Sequence, residues 1–212
     1  MIKKNTVLFV LLSFMIPFFM ATAVEKGPHE HDGLYFRFMM GAGYAQTSST
    51  NKVNKFQNQE ISHFGEFQFG GTILKNTILS VNFPVYFIPL PGGLSLPNSM
   101  TGTGAASGVE SYIAAMGVGV THYFMPVNIF ISSSFYYSMT GVEYPGVSGD
   151  KNNTKGFAVG FSAGKEWWVS KEWGLGVALN FYYSRQNDLT KGLDITPLDV
   201  FSVNIAFTAT YN

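Results

Sequence analysis

Within Leu198 to Tyr211 the chain alternates without a break from Phe201 on. Phe201, Val203, Ile205, Phe207, Ala209 and Tyr211 fall on one side, and Ser202, Asn204, Ala206, Thr208 and Thr210 on the other. A period of two is the signature of a strand, because successive side chains leave opposite faces of the pleat. The pattern recurs over Leu34–Tyr44, His63–Leu74, Thr77–Ile88, Val109–Phe124, Val127–Met139, Lys155–Val169 and Trp173–Arg185. In each segment one face is apolar, such as Leu79, Val81, Phe83, Val85 and Phe87. The other is small or polar, such as Gly117, Gly119 and Thr121. Eight such segments with no intervening helical period predict an all-β fold.

Composition decides what kind of β fold. Only 12% of residues are charged while 16% are aromatic and 46% apolar. A water-facing surface carries about twice that charge. Such a chain suits hydrocarbon on its outside. There each unpaired backbone group costs several kcal/mol, so a sheet must close on itself. The connections alternate in length. Lys75-Asn76, Met125-Pro126 and Ser170-Lys171-Glu172 are short, while Gln46 to Ser62, Pro89 to Gly108, Thr140 to Thr154 and Gln186 to Pro197 are long and rich in Gly, Asn, Ser and Pro. Short turns at one rim and long loops at the other give an eight-stranded antiparallel up-and-down transmembrane β-barrel. An even strand number puts both termini at the short-turn rim. That rim is read as periplasmic and the four long loops as extracellular. Pro84 strains this reading, since it removes one ladder hydrogen bond.

The first 23 residues have the three parts of an export signal. These are Lys3 and Lys4, an apolar run to Met20, and Ala21-Thr22-Ala23 at the cleavage site. Residues 24–33 form a periplasmic lead-in, and 34–212 the barrel. The lead-in contains His29-Glu30-His31-Asp32, which could ligate a metal. A solvated approach to the first strand is the preferred reading, and no metal or cofactor is assigned.

Parity points Arg37, Glu66 and Glu166 inward, where a charge needs a partner. The first two strands are neighbours, so Arg37 with Glu66 is the first pair expected, as a lock or a possible gate. Small inward residues such as Gly41, Gly160 and Gly176 make room for Arg37, Tyr86, Phe130, Tyr136 and Tyr182. Trp167, Trp168, Trp173 and Tyr123 flank short turns and are expected in the membrane-interface girdle, with Lys165 beside them. Leu90, Leu94, Leu96 and Met100 lie in an uncharged loop that could cover the barrel mouth.

No catalytic residue is assigned. Ser62 and His63 are adjacent, so their side chains diverge in a strand. With 13 basic and 13 acidic residues, nothing suits a nucleic-acid backbone. Cys is absent, which removes thiol chemistry.

The segments Gly164-Lys165-Glu166-Trp167-Trp168-Val169 and Trp173-Gly174-Leu175-Gly176-Val177 resemble a recurring stretch of small bacterial outer-membrane β-barrel proteins. The resemblance spans about Leu34 to Tyr211. It departs at the end, where Tyr211 is followed by Asn212 instead of closing the chain on an aromatic. It implies export through the Sec translocon, insertion by the barrel assembly machinery, and contact with outer-membrane lipids including lipopolysaccharide. The functional expectation is a structural or surface-interaction barrel in the outer membrane. Passage of small solutes, apolar ones included, through a narrow lumen and a lipid-modifying enzyme are the alternatives.

Overall fold

The computed structural model describes residues 30–50, 55–89, 110–143, 154–188 and 197–212. The export signal and Leu90, Leu94, Leu96 and Met100 lie outside the described residues. The strands are β1 (Leu34–Thr50), β2 (Lys55–Leu74), β3 (Thr77–Pro89), β4 (Glu110–Phe124), β5 (Ile129–Glu143), β6 (Thr154–Trp168), β7 (Trp173–Asp188) and β8 (Pro197–Tyr211). They form one closed barrel in chain order, every neighbour antiparallel. Pairing of Phe36 with Tyr211 through Ser49 with Leu198 joins β1 to β8 and leaves the ring no open edge along that seam.

The barrel is inverted relative to a water-soluble sheet. Phe67, Met116, Phe135, Phe157, Val177, Ile205 and Phe207 lie exposed on the outside, while Arg37, Glu66, Asn82, Glu166 and Asn204 are sealed inside. Two apolar clusters also occupy the lumen. Tyr35, Ile78, Tyr123, Phe130 and Ala178 form one. Met39, Phe64, Tyr86, Ile88, Ile113, Tyr136 and Tyr182 belong to the other. Glycines let the large rings cross. A Cβ on Gly160 would lie 2.8 Å from the Tyr136 ring, and one on Gly164 would lie 2.7 Å from Phe130.

Three short turns share a rim with both described ends. Asn76 and Asn128 adopt φ of 59° and 53°, a left-handed geometry that asparagine tolerates better than most residues. In the third turn, Ser170 Oγ accepts from the amides of Glu172 and Trp173. Thr72 N donates to Gly33 O, and Asn212 N to Glu172 O, which ties the chain ends to this rim.

Three local features differ from the alternation. The segment 46–62, expected as a long loop, is largely strand, with pairing that continues from Gln46 and Gln59 to Thr50 and Lys55. A ladder needs only backbone groups, and above the apolar band neither face requires apolar side chains. The β4–β5 turn runs over residues 125–128, so β5 starts at Ile129 instead of Val127. At Pro84 the β2 side of β3 stays in register, opposite Glu66. On the β4 side, pairing skips from Asn82–Gly117 to Val85–Ala114. The missing N–H is thus absorbed as a gap in one ladder, with no bulge.

Candidate functional site: the cross-linked lumen

Arg37 (β1) and Glu166 (β6) come from distant parts of the sequence, and the lumen brings them together. Arg37 Nε lies 3.4 Å from Glu166 Oε1, both side chains fully buried. Reaching this pair requires Glu166 to pass over β7. There Gly174 and Gly176 have no side chain to obstruct it, and a Cβ on Gly176 would lie 2.7 Å from Glu166 Cγ. Beyond that slot, Glu166 accepts from Thr208 Oγ1 (2.9 Å) and Thr210 Oγ1 (2.7 Å), and on its other oxygen from Tyr123 OH (3.1 Å). Arg37 donates to Thr210 Oγ1 (3.2 Å) and to Tyr123 OH. Its guanidinium carbon lies 3.8 Å from the centre of the Phe130 ring. The pair is neutral as a unit, fully buried, and hydrogen-bonded on both carboxylate oxygens. Such geometry makes a buried ion pair hard to break and specific in what it holds together.

The expected Arg37–Glu66 pair is not the one that forms. Arg37 stands opposite Gln68, and Glu66 opposite Met39. Glu66 instead accepts from two neutral donors, Gln68 Nε2 (3.1 Å) and Tyr136 OH (3.0 Å). Gln68 in turn accepts from Tyr35 OH (3.0 Å). Strand adjacency alone did not set the stagger, and the glycine slot on β7 gave Arg37 a closer carboxylate.

Further up the barrel the polar cross-links continue. Asn82 Nδ2 donates to Ser134 Oγ (2.8 Å). Tyr86 OH donates to Asn180 Oδ1 (3.1 Å), and Asn180 Nδ2 to Ser162 Oγ (2.9 Å). Ser138 Oγ lies 2.7 Å from Tyr182 OH and accepts from Gln186 Nε2 (2.8 Å). Ser62 Oγ donates to Asn204 Oδ1 (2.8 Å). The Tyr86 and Tyr182 rings pack 4.5 Å apart, centre to centre. Ser62 therefore faces the lumen while His63 faces outward, and the two side chains do not meet.

At the short-turn rim the floor is closed by His31, which is only 1% exposed. Its ring stacks on Tyr123 with centres 3.4 Å apart. Its Nε2 donates to Asn128 Oδ1 (2.8 Å), and its carbonyl accepts from Thr72 Oγ1 (3.0 Å). Burial holds the imidazole below its ordinary pKa of 6.5. The expectation of a solvated lead-in is therefore corrected at this residue. The rim of an eight-stranded ring is narrow enough for a single imidazole to reach across it. Among the described residues no three His, Cys, Asp or Glu side chains gather as a metal site.

The girdle is also redrawn. Trp167 (53% exposed) and Trp173 (40%) face outward, and Trp173 packs edge-on against Tyr211. Lys165 lies 5.7 Å from the Trp167 ring and donates to Val127 O (2.7 Å). Tyr123 and Trp168 do not belong there. Tyr123 shares parity with Gly119 and Thr121 and points into the lumen, 1% exposed. Trp168 shares parity with Glu166, and its ring lies 5.0 Å from His31.

No protein-family model matches this chain. No curated protein sequence matches it either. Among solved structures it is similar to Neisserial surface protein A (TM-score 0.51, 11% identity, 84% of this chain and 96% of that one). Matches also include the outer membrane protein AlkL in DMPC lipid bilayers (0.46, 10%, 90% and 94%) and the outer membrane protein OprG from Pseudomonas aeruginosa (0.40, 9%, 83% and 96%). The likeness to the Neisserial protein is one of fold: a small eight-stranded barrel of the outer-membrane type.

Proposed function

We propose that this chain is a structural barrel of the bacterial outer membrane whose closed lumen serves as a rigid frame, displaying its longer rim segments to partners at the cell surface. Cross-linking of the lumen carries this reading. Arg37–Glu166, Glu66–Tyr136, Asn82–Ser134 and Tyr86–Asn180 join strands at successive heights, with Phe130 and Tyr182 filling the space between. A solute path would have to break several of these at once.

Membrane placement is supported by the outward lanes. On β7 the lane Trp173, Leu175, Val177, Leu179, Phe181 and Tyr183 spans ten residue steps. At a tilt of about 40° it rises about 25 Å, the height of the apolar band on outer-membrane barrels. Orientation follows from export. A chain delivered from the periplasm leaves both ends on that side, with the three short turns. The other rim then faces the outer leaflet, with lipopolysaccharide as its lipid neighbour, after passage through the Sec translocon and the barrel assembly machinery.

Single-channel recording of the refolded protein in planar bilayers tests the closed lumen. The expected trace is flat, at the leak of the bare membrane. Discrete, reproducible conductance steps would favour the passage of small solutes and overturn the structural reading.

A further inference from the structure

On β6 and β7 the two outward lanes end in cations at matching heights. Lys155 is twelve residues from Trp167 along β6, and Arg185 twelve from Trp173 along β7. At barrel tilt that places each about 30 Å above its tryptophan, one hydrocarbon thickness away and so at the opposite headgroup layer. Lys155 stands opposite Asn187, and Arg185 opposite Phe157. The two cations are thus diagonal neighbours on adjacent strands, their Cα atoms about 7–8 Å apart. Beneath them run Phe157, Val159 and Phe161 on one strand and Tyr183, Phe181 and Leu179 on the other.

Neither cation is consumed by the fold. Lys155 has no ion-pair or hydrogen-bond partner among the described residues. Arg185 has 65% of its side chain exposed, and its Nε is 3.9 Å from Asp199 Oδ1. That carboxylate already accepts from Tyr183 OH (3.0 Å). A charge-bearing pair at headgroup height, above an apolar lane, is complementary to a molecule that joins an anionic head to acyl chains.

We propose that Lys155 and Arg185 form a binding site for a phosphate of lipid A, whose acyl chains lie along the Phe157–Phe161 and Tyr183–Leu179 lanes. Arg185 presents its planar fork to the phosphate and Lys155 a point charge, as their chemistries favour. Lipid A is the source argued for because this rim faces the outer leaflet. The site therefore rests on the orientation proposed above, but not on the closed lumen.

The test uses the refolded mature protein in phosphatidylcholine nanodiscs, titrated with fluorescent lipid A, with its dephosphorylated form and with phosphatidylglycerol. The double variant Lys155→Gln, Arg185→Gln should bind lipid A about tenfold or more weakly than wild type. Lys165→Gln, at the other rim, should bind as wild type, and dephosphorylated lipid A should not distinguish the proteins. Asp199→Asn, which frees Arg185 of its carboxylate, should tighten binding two- to threefold; this keeps the site testable if the double variant does not fold. Equal lipid A affinity for wild type and both variants overturns the site. Phosphatidylglycerol bound as tightly as lipid A, with the same loss in the double variant, overturns the assignment to lipid A. A conducting wild-type barrel would overturn the closed lumen and leave this result standing.

Discussion

Glu166 and Glu66 are both carboxylates sealed in the lumen, yet their surroundings ask different things of them. Glu166 faces a guanidinium, and Glu66 faces an amide and a phenol. Replacing Glu166 with Gln strands the Arg37 charge, and the expected loss is about 3–5 kcal/mol. Glu66→Gln keeps an acceptor for Gln68 and Tyr136, so its expected cost is under about 1 kcal/mol. Urea unfolding of the refolded protein in vesicles, read by mobility on unheated gels, compares the two; equal losses would sink the distinction. His31 carries a pH dependence of defined sign. Its folded pKa is depressed by burial below 6.5, so between the two values the unfolded state binds more protons. The stability of the floor contact is therefore full above about pH 6.5 and declines as pH falls through that value. The protection factors at residues 31–34, the intrinsic exchange rate at each pH divided by the observed rate, should fall on acidification, and His31→Asn should flatten that profile. Parity alone sent Arg37, Glu66 and Glu166 inward, because a shift of one residue reverses every face of a strand. It also placed Tyr123 and Trp168 inside, a signal that the nearness of both residues to a turn obscured.

At the level of strands, β7 contributes by what it lacks. Gly174 and Gly176 open the slot through which β6 reaches β8 and β1. A Cβ on Gly176 would lie 2.2 Å from Lys165 O as well as 2.7 Å from Glu166 Cγ, so Gly176→Leu should cost at least about 1–3 kcal/mol by overpacking against the β6 backbone, with the Arg37–Glu166 loss added as Glu166 is pushed aside. Gly65→Ala makes the control, since its Cβ would sit 4.0 Å from Met39 O and displace nothing. The same unfolding assay reads both, and similar midpoints would show that the slot is not needed. The strand pattern in the sequence was strong wherever the outward face is apolar. It failed over residues 46–62, where β1 and β2 rise past the apolar band and the ladder persists without it. It also could not show how Pro84 would be absorbed. That depended on which neighbour its missing N–H would have faced, and the loss fell on the β4 ladder alone.

Across the whole molecule, an apolar outside and a buried polar lattice inside are two consequences of one constraint. Backbone groups in hydrocarbon must pair, so the sheet closes, and an eight-stranded ring is barely wide enough for the side chains it encloses. The comparisons agree with this at the level of fold, at 11% identity to the Neisserial protein. Alternation, low charge and the spacing of turns were enough to determine the strand number, the closure and the inward or outward side of nearly every residue, because each is a local or compositional property. Which inward groups meet was decided only by the tertiary structure. The stagger of eight strands and the gaps left by particular glycines set distances across the lumen, and no local pattern encodes them. That is why Arg37 found Glu166 across the barrel, and why an imidazole ahead of the first strand became its floor.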